Sequence, residues 1–379
     1  MGTLLGLIVL AYGFAWLNLD RSAVARSLIW MHADVSDYLR FPSRVIASGD
    51  IKFNYAKAPE YPEALPSDVA PGYPDLSTLL EQSQTAAFIV IHNDRLVYER
   101  YFNGHHPDTF HTSFSVAKSF NSALIGAAIA NGSISSIDEP VTTYIPELIK
   151  RDARFQAITI GNLLSMSSGL RYQTAGMPWG DDARTYYDPD LRHLAVQGSE
   201  IIEAPGERFH YNNYNPLLIG IVLERATGMH VSDYLSETLW KSLGATADAS
   251  WSLDSEASGF EKMESGINAR PIDFAKLGSL YLNRGMWQGS QLLPATWIDQ
   301  STHHADAATP SSGYQFGWWT FTNEALGDYY AAAGNKGQYV FVFPDDRLVI
   351  VRLGAETGGI DWVRMIPNIA QNLQSRLRG

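Results

Sequence analysis

Ser115 and Lys118 lie three positions apart in the run Ser113-Phe114-Ser115-Val116-Ala117-Lys118-Ser119-Phe120. The next residues, 121–130, are apolar and rich in Ala, so they predict a buried helix that ends near Asn131-Gly132. Because residues three apart share a helix face, the serine hydroxyl and the lysine amine are expected to be neighbours. Burial favours the neutral amine, which is able to accept the serine proton. The pattern indicates a serine nucleophile with a lysine base.

The alternative is a helix start with an accidental lysine, since Ser and Lys are common residues. Lys118 is, however, the only lysine with a serine three positions before it. The chain has no Gly-x-Ser-x-Gly, no His-Glu-x-x-His and no phosphate-binding loop. The motifs typical of an α/β-hydrolase, a zincin or a nucleotide-binding protein are therefore missing. The histidine pairs at 105–106 and 303–304 lack a third ligand at regular spacing and are interpreted as solvated loops. We therefore predict no metal and no cofactor.

Two later motifs follow the serine in order. The first is Pro205-Gly206-Glu207-Arg208-Phe209-His210-Tyr211-Asn212-Asn213, and the second is Ala333-Gly334-Asn335-Lys336-Gly337-Gln338. With Ser-x-x-Lys, this order resembles the serine β-lactamase and penicillin-recognising superfamily, and the Tyr-x-Asn version resembles its class C branch. Within that branch the sequence is similar to the 6-aminohexanoate-dimer hydrolases. The resemblance covers roughly residues 86–375.

The resemblance implies a role for each matching residue. Ser115 is the acylated nucleophile, Lys118 shares its proton, and Tyr211 serves as base for attack and acid for the leaving group. Asn213 orients the substrate amide or the lysine. The backbone N–H groups of Ser115 and Gln338 form the oxyanion hole.

The third motif departs from the family pattern. Where penicillin-recognising enzymes carry Lys-Thr-Gly, this chain aligns as Asn335-Lys336-Gly337, so the usual cation is missing unless Lys336 replaces it. This difference favours a serine hydrolase of small amides or esters over an efficient β-lactamase. The open alternatives are a D-amino-acid peptidase, a weak β-lactamase and a non-hydrolytic penicillin-recognising binding protein.

The remaining substrate contacts are predicted from composition. The segment 179–190 is aromatic and acidic, so Asp181 in it and the earlier Tyr172 are candidates to hold an amine-bearing substrate. The alternative for this segment is a solvated loop of ordinary turn residues. Together with Asn213, Lys336, Gly337 and Gln338, they complete the predicted substrate-binding set.

Composition limits the classes of partner. The 379 residues are 45% hydrophobic and 12% aromatic, enough for a sizeable core. A formal charge of −12 disfavours nucleic acid as a partner. With no cysteine, disulfides and thiolate chemistry are excluded. The expected partner is a small-molecule amide or ester, and the oligomeric state is left open.

Hydrophobic patterning predicts a mixed α/β (α+β) fold. A β-hairpin is expected from residues 87–92 and 95–102 around Asn93-Asp94, and strands are expected over 314–321, 338–343 and 347–353. Helices are expected over 216–228, 271–284 and 362–377. Two early and three late strands predict one antiparallel sheet built from both chain ends and flanked by helices, as in the β-lactamase-like fold. A mainly helical subdomain is inserted over about 136–300, within a hydrolase domain of residues 86–379.

The first residues predict a targeting or anchoring segment. Residues 3–19 are uncharged and mostly apolar, and residues 1–22 are therefore interpreted as a membrane-anchor or signal-like helix. Residues 23–85 are rich in Pro and polar side chains and are expected to form an extended arm. The predicted location is the bacterial inner membrane with a periplasmic catalytic domain, although Arg21 and Arg26 favour the opposite orientation.

Overall fold

A computed structural model describes residues 2–19, 21–58, 72–174, 178–303, 311 and 313–377. Its strands are β1 Ser43–Ile46, β2 Ala56–Lys57, β3 Thr85–His92, β4 Arg95–Tyr101, β5 His111–Thr112, β6 Ala249–Ser252, β7 Ile267–Ala269, β8 Met286–Trp287, β9 Ser290–Gln291, β10 Tyr314–Gln315, β11 Trp318–Asn323, β12 Gly327–Gly334, β13 Gln338–Phe343 and β14 Leu348–Gly354.

Its α-helices are α1 Gly2–Trp16, α2 Ala23–Trp30, α3 Leu76–Gln82, α4 Ala117–Ala130, α5 Glu147–Arg151, α6 Ile160–Leu164, α7 Asp181–Tyr187, α8 Leu191–Gly198, α9 Tyr214–Thr227, α10 Val231–Leu235, α11 Pro271–Leu282, α12 Ala295–Thr302 and α13 Trp362–Leu377. The central helices α4 and α9 are buried over most of their length, because helices and sheet surround them.

The main sheet joins both ends of the chain. Its strand order is β10-β11-β12-β13-β14-β3-β4-β2, and β3 pairs antiparallel with β14. The strand pairs in this sheet are antiparallel except for β2 with β4. The predicted hairpin is β3–β4 and turns at Asn93-Asp94, which take positive φ angles. The predicted antiparallel sheet from both chain ends is thus confirmed.

Apolar side chains cover both faces of this sheet. On one face, Ile89, Val340 and Val351 pack with α4, α9 and α11 in the larger core. On the other face, Phe341 and Ile350 pack against α3 and α13. A strand buried on both faces reads as a continuous apolar run, as β3 does from Ala86 to Ile91. A second sheet, in the order β1-β6-β7-β5, lies beside α4 and carries the loop that borders the serine.

The strands of the second sheet, the short strands β2, β8 and β9, and β12 of the main sheet were not predicted. β12 contains the run Ala331-Ala332-Ala333, and alanine has weak strand propensity, so this segment was not predicted as β. The predicted strand 314–321 is divided into β10 and β11 by Phe316 and Gly317, which both have positive φ. The late part of the sheet therefore has five strands where three were expected.

The N-terminal residues form the helix α1. α1 ends at Trp16, and within the described residues no helix is long and apolar enough to cross a membrane. The following arm is partly regular: α2 packs on α7, and β1 pairs with β6. The Pro-rich stretch 59–71 lies outside the described residues, as do His304 of the second histidine pair and part of the loop that follows it.

Candidate active site

Ser115 lies in a single 3₁₀ turn, Phe114–Val116, that leads into α4. Phe114 has φ of 42°, a left-handed conformation that is uncommon for a bulky residue and that clusters at functional sites. The turn is held by the Ser113 hydroxyl, which accepts from the Ile267 N–H at 3.1 Å. This arrangement fixes the position of the Ser115 side chain at the start of a buried helix.

Lys118 is buried in the first turn of α4, 3% exposed, with its amine directed back at the serine. Its Nζ lies 2.9 Å from Ser115 Oγ and 2.8 Å from the backbone oxygen of Glu264. One helical turn along the same helix, the Asn121 amide donates to the Met263 oxygen at 2.7 Å. The loop between β6 and β7 is therefore tied to α4 by two hydrogen bonds beside the nucleophile.

Tyr211 approaches the same point from the loop before α9. Its ring centroid is 5.0 Å from Lys118 Nζ, and its ring stacks on Trp319 at 5.9 Å and 20°. Tyr314 contacts the ring edge-on at 6.0 Å. Burial raises the pKa of Tyr314 well above its usual value, and the neighbouring Tyr211 adds to this effect. In the described chain the Tyr211 hydroxyl has no hydrogen-bond partner, which leaves it available to a substrate.

Asn213 is held by a polar network behind the site. Its amide donates to the Tyr172 hydroxyl at 2.8 Å, and Tyr172 in turn donates to Asp182 at 2.7 Å. Burial, followed by the charge of Asp182, raises the pKa of Tyr172. Tyr172 therefore positions Asn213 from behind, with its hydroxyl already engaged by protein groups.

Asp181 does not reach the cavities at Ser115. Its two oxygens accept from the Gln173 N–H at 2.8 Å and from the Tyr214 hydroxyl at 3.0 Å, and Arg184 forms an ion pair with it. The neighbouring Asp182 lines the cavity instead. Asp182 rather than the predicted Asp181 lines the cavity because adjacent residues of the helix α7 point about 100° apart.

The last three residues of the predicted third motif, 336–338, do not line the cavities at Ser115. Lys336 pairs with Glu356, and Gly337 accepts from the Arg352 guanidinium at 2.8 Å. The Gln338 side chain is buried and bonded to Gly354 at 2.8 Å. None of Lys336, Gly337 and Gln338 lines the two cavities at the serine.

The residues of this motif that do approach the serine are the two that precede Lys336. Gly334 and Asn335 line a cavity with Ser115, and a Cβ on Gly334 would lie 2.5 Å from the Ser113 oxygen. Asn335 begins the 3₁₀ turn after β12, where the first N–H groups have no intrahelical acceptor. Its amide is therefore better placed than that of Gln338 to face the serine. The sequence signal for this was Gly334, which ends β12.

Two cavities meet at Ser115, Tyr211 and Asn335. One, of about 520 Å³, is apolar beyond these three residues. The other, of about 450 Å³, is lined by polar groups that include Asp182, Asn213 and Glu264. No Lys or Arg of the described chain lines either of these two cavities.

Two buried acceptor atoms, on residues that line the polar cavity, have no hydrogen-bond partner within the described part of the chain. Glu264 is 2% exposed; one of its carboxylate oxygens meets Lys262 at 3.1 Å, and the other, Oε2, has no hydrogen-bond partner. Asn213 Oδ1 is likewise buried and unpartnered. Because buried acceptors are normally satisfied, these two oxygens are exceptions that call for a donor. Sequence patterns gave no signal for Glu264.

One group of residues elsewhere has metal-ligand chemistry. Potential ligand atoms of Glu224, His230 and Glu261 lie within 4.8 Å of one another. Arg192 pairs with Glu224, and Arg44 pairs with Glu261. These guanidinium groups already neutralise the carboxylates, so the cluster is better explained as an ion-pair network.

Comparison with known proteins supports the relationship inferred from the motifs. A 6-aminohexanoate-dimer hydrolase of Paenarthrobacter ureafaciens is 27% identical over 303 residues, covering 74% of this chain and 75% of that protein. Protein flp of Staphylococcus aureus (strain NCTC 8325 / PS 47) is 21% identical over 295 residues, covering 72% of this chain and 57% of its own length.

Solved structures share the fold. A Bacillus anthracis protein, whose assignment as a 6-aminohexanoate-dimer hydrolase is itself an inference, superposes with a TM-score of 0.79 at 24% identity and covers 95% of this chain and 97% of its own. A class C β-lactamase superposes with a TM-score of 0.60 at 16% identity over 80% of this chain and 94% of its own. The Beta-lactamase family matches residues 76–372. The chain therefore belongs to the β-lactamase family and is a serine hydrolase with the mixed α/β fold of that family.

Proposed function

We propose that this protein hydrolyses a small amide or ester through an acyl-enzyme on Ser115. The main support is the 2.9 Å contact between Ser115 Oγ and the buried Lys118 amine. Ser115 also lines both cavities. Ser115 Oγ attacks the substrate carbonyl carbon and gives its proton to Lys118. Tyr211 protonates the leaving amine or alcohol and regains its proton from Lys118. Water then attacks the acyl-serine ester, and its proton returns through Tyr211 and Lys118 to Ser115 Oγ as the acid product leaves.

The oxyanion of this reaction needs two hydrogen-bond donors. The backbone N–H groups of Ser115 and Asn335 fill this role best, because both residues border the same cavities and both begin short helical turns. This assignment replaces the backbone N–H of Gln338, because Gln338 lines neither cavity.

The charges around the site favour an amide or ester that does not need a bound carboxylate beside the scissile bond. β-Lactams and D-alanyl peptides carry a carboxylate, whereas the described linings of both cavities hold no Lys or Arg and Lys336 is paired with Glu356. The unpartnered Glu264 and Asn213 oxygens suit a substrate that brings N–H donors, including the amine of an aminohexanoate amide. The carboxylate of an aminohexanoate oligomer is separated from the scissile amide by a chain of methylenes, whereas that of a β-lactam or a D-alanyl peptide lies beside the scissile bond. A 6-aminohexanoate-oligomer hydrolase or carboxylesterase, which needs no cation beside Ser115, is therefore favoured over a D-amino-acid peptidase or weak β-lactamase.

A fluorophosphonate probe tests the nucleophile. Native protein should be labelled on Ser115, Ser115→Ala should be unlabelled, and Ser135→Ala, which alters an exposed serine of a loop, should label normally. Absence of labelling in native protein contradicts the proposal. Parallel turnover of p-nitrophenyl esters, nitrocefin, D-Ala peptides and aminohexanoate oligomers then identifies the substrate class. Acylation without any release of product would favour the non-hydrolytic binding protein.

Membrane association through residues 3–19 and a periplasmic location stay predictions. Separation of membrane and periplasmic fractions from the producing cell tests them directly.

A further inference from the structure

The apolar cavity at Ser115 is a trough along one face of the main sheet. Its floor is β12, where Ala331 and Ala333 face the cavity. The register places Ala331 between Trp319 of β11 and Phe341 of β13, and places Ala333 opposite Tyr339. Small residues on the middle strand between aromatic residues on both neighbours leave a channel that runs along β12.

The trough has a reactive end and a closed end. Ser115, Tyr211 and Asn335 border the end near the last residue of β12. Two residues beyond Ala331, on the same face of β12, Tyr329 stacks on Phe321 at 5.1 Å and fills the space. Val363 of α13, 36% exposed, lines the side of the trough.

We propose that this trough binds an apolar arm of the substrate, so that the protein acts on an ester or amide with a medium-length alkyl or aryl group on one side of the scissile bond. The inference rests on the proposed hydrolase function and deepens it. A trough of about 520 Å³ lined by aromatic and alanine side chains gains free energy by excluding water from an apolar group. The polar cavity on the opposite side of Ser115 takes the other arm.

The trough sets the length of this arm. Three residues of strand separate Gly334 from Ala331, which corresponds to about 10 Å. An extended alkyl chain advances roughly 1.3 Å per carbon at bond lengths near 1.5 Å, so about eight carbons fit. Longer chains meet Tyr329.

Two ester series test the arm: p-nitrophenyl esters with acyl groups from acetyl to dodecanoyl, and acetate esters of alcohols of the same lengths. We expect kcat/KM in one series to rise about threefold per methylene up to octanoyl or octyl and then to level or fall. If kcat/KM does not change with chain length in either series while the fluorophosphonate probe still labels Ser115, the proposed apolar arm is wrong and the hydrolase proposal stands. Loss of labelling overturns the hydrolase proposal itself.

Variants locate the effect in the trough. Ala331→Leu and Val363→Trp each narrow it and should lower the ratio of octanoyl to acetyl turnover at least about tenfold, equivalent to two or more methylenes lost. Asn368→Trp, an exposed change on the same helix α13 away from the cavity, should leave the ratio unchanged. An unaltered ratio in both trough variants contradicts the proposal, and the acetyl ester and the probe report whether each variant folds.

Discussion

Substitution of Gly334 by alanine tests how the sheet supports the serine. Gly334 has φ −130° and ψ 160°, an extended conformation that alanine adopts readily, so the backbone itself creates no obstacle. The obstacle is the serine turn: a Cβ would lie 2.5 Å from the Ser113 oxygen and 3.2 Å from Phe114 Cβ. The Ser113 oxygen belongs to the backbone, so no flexible side chain can move aside.

The contact distances give the size of the effect. Ordinary contacts of a Cβ begin near 3.4 Å, so β12 and the serine turn must separate by about 0.9 Å. The Ser115 and Asn335 amides lie on the two sides of this contact, and the proposed oxyanion hole would widen by a similar amount. A misplacement of this size costs about 100-fold in rate, comparable to the loss of one oxyanion donor. Stability should fall by about 1–3 kcal/mol, as in other overpacked sites.

The assay is kcat for a p-nitrophenyl ester, measured beside the melting temperature and the rate of fluorophosphonate labelling. Gly313→Ala is the matched control, because the nearest atom to its Cβ, the Thr320 oxygen, lies 4.0 Å away. We expect a kcat loss of about 100-fold in Gly334→Ala and almost none in the control. A folded Gly334→Ala protein with native kcat would refute the close approach of β12 as a catalytic requirement.

Three further predictions concern single groups. Tyr211→Phe keeps the ring stacked on Trp319 but removes the hydroxyl, so kcat/KM should fall at least about 100-fold at unchanged melting temperature; native activity would exclude Tyr211 as the acid. Burial lowers the pKa of His111 to about 3, so the unfolded state binds a proton from pH 6.5 downward that the folded state does not. The free energy of unfolding should therefore decrease by about 2 kcal/mol from pH 7 to pH 5 by urea titration, and His111→Phe should remove this part of the slope. Arg352→Met leaves the Gly337 and Ser83 oxygens without their buried donor, so the free energy of unfolding should decrease by about 3 kcal/mol; an equally stable variant would contradict a structural role for Arg352.

Much of the fold was predictable because local signals agree with the tertiary structure. The Asn93-Asp94 turn between two β-rich runs predicted the hairpin, and the strand 338–343 was predicted with its observed limits. The α4 helix was predicted from its apolar run, and Ser-x-x-Lys spacing is satisfied by one helical turn. These features depend on residues close together in the chain.

The rest of the site depends on residues far apart in the chain. Glu264 lies in a loop without a motif, and tertiary contacts, the hydrogen bonds from Lys118 and Asn121 to this loop, bring it to the nucleophile. Asp181 and Asp182 are equivalent in sequence, and the orientation of α7 decides which of them lines the cavity. Residues 336–338 were predicted to contact the substrate in place of Gly334 and Asn335, because β12, whose end approaches the serine, was not recognised as a strand.

The alanines whose weak strand propensity prevented the prediction of β12 are also the residues that leave space for the trough. A strand rich in alanine is a poor β-former by itself, yet β12 pairs along its length with β11 and β13, whose aromatic side chains bury it. Larger side chains at Ala331 or Ala333 would strengthen the strand and fill the space beside Ser115. The weak propensity of this segment is therefore offset by its neighbours, and the small residues keep a channel open to the nucleophile.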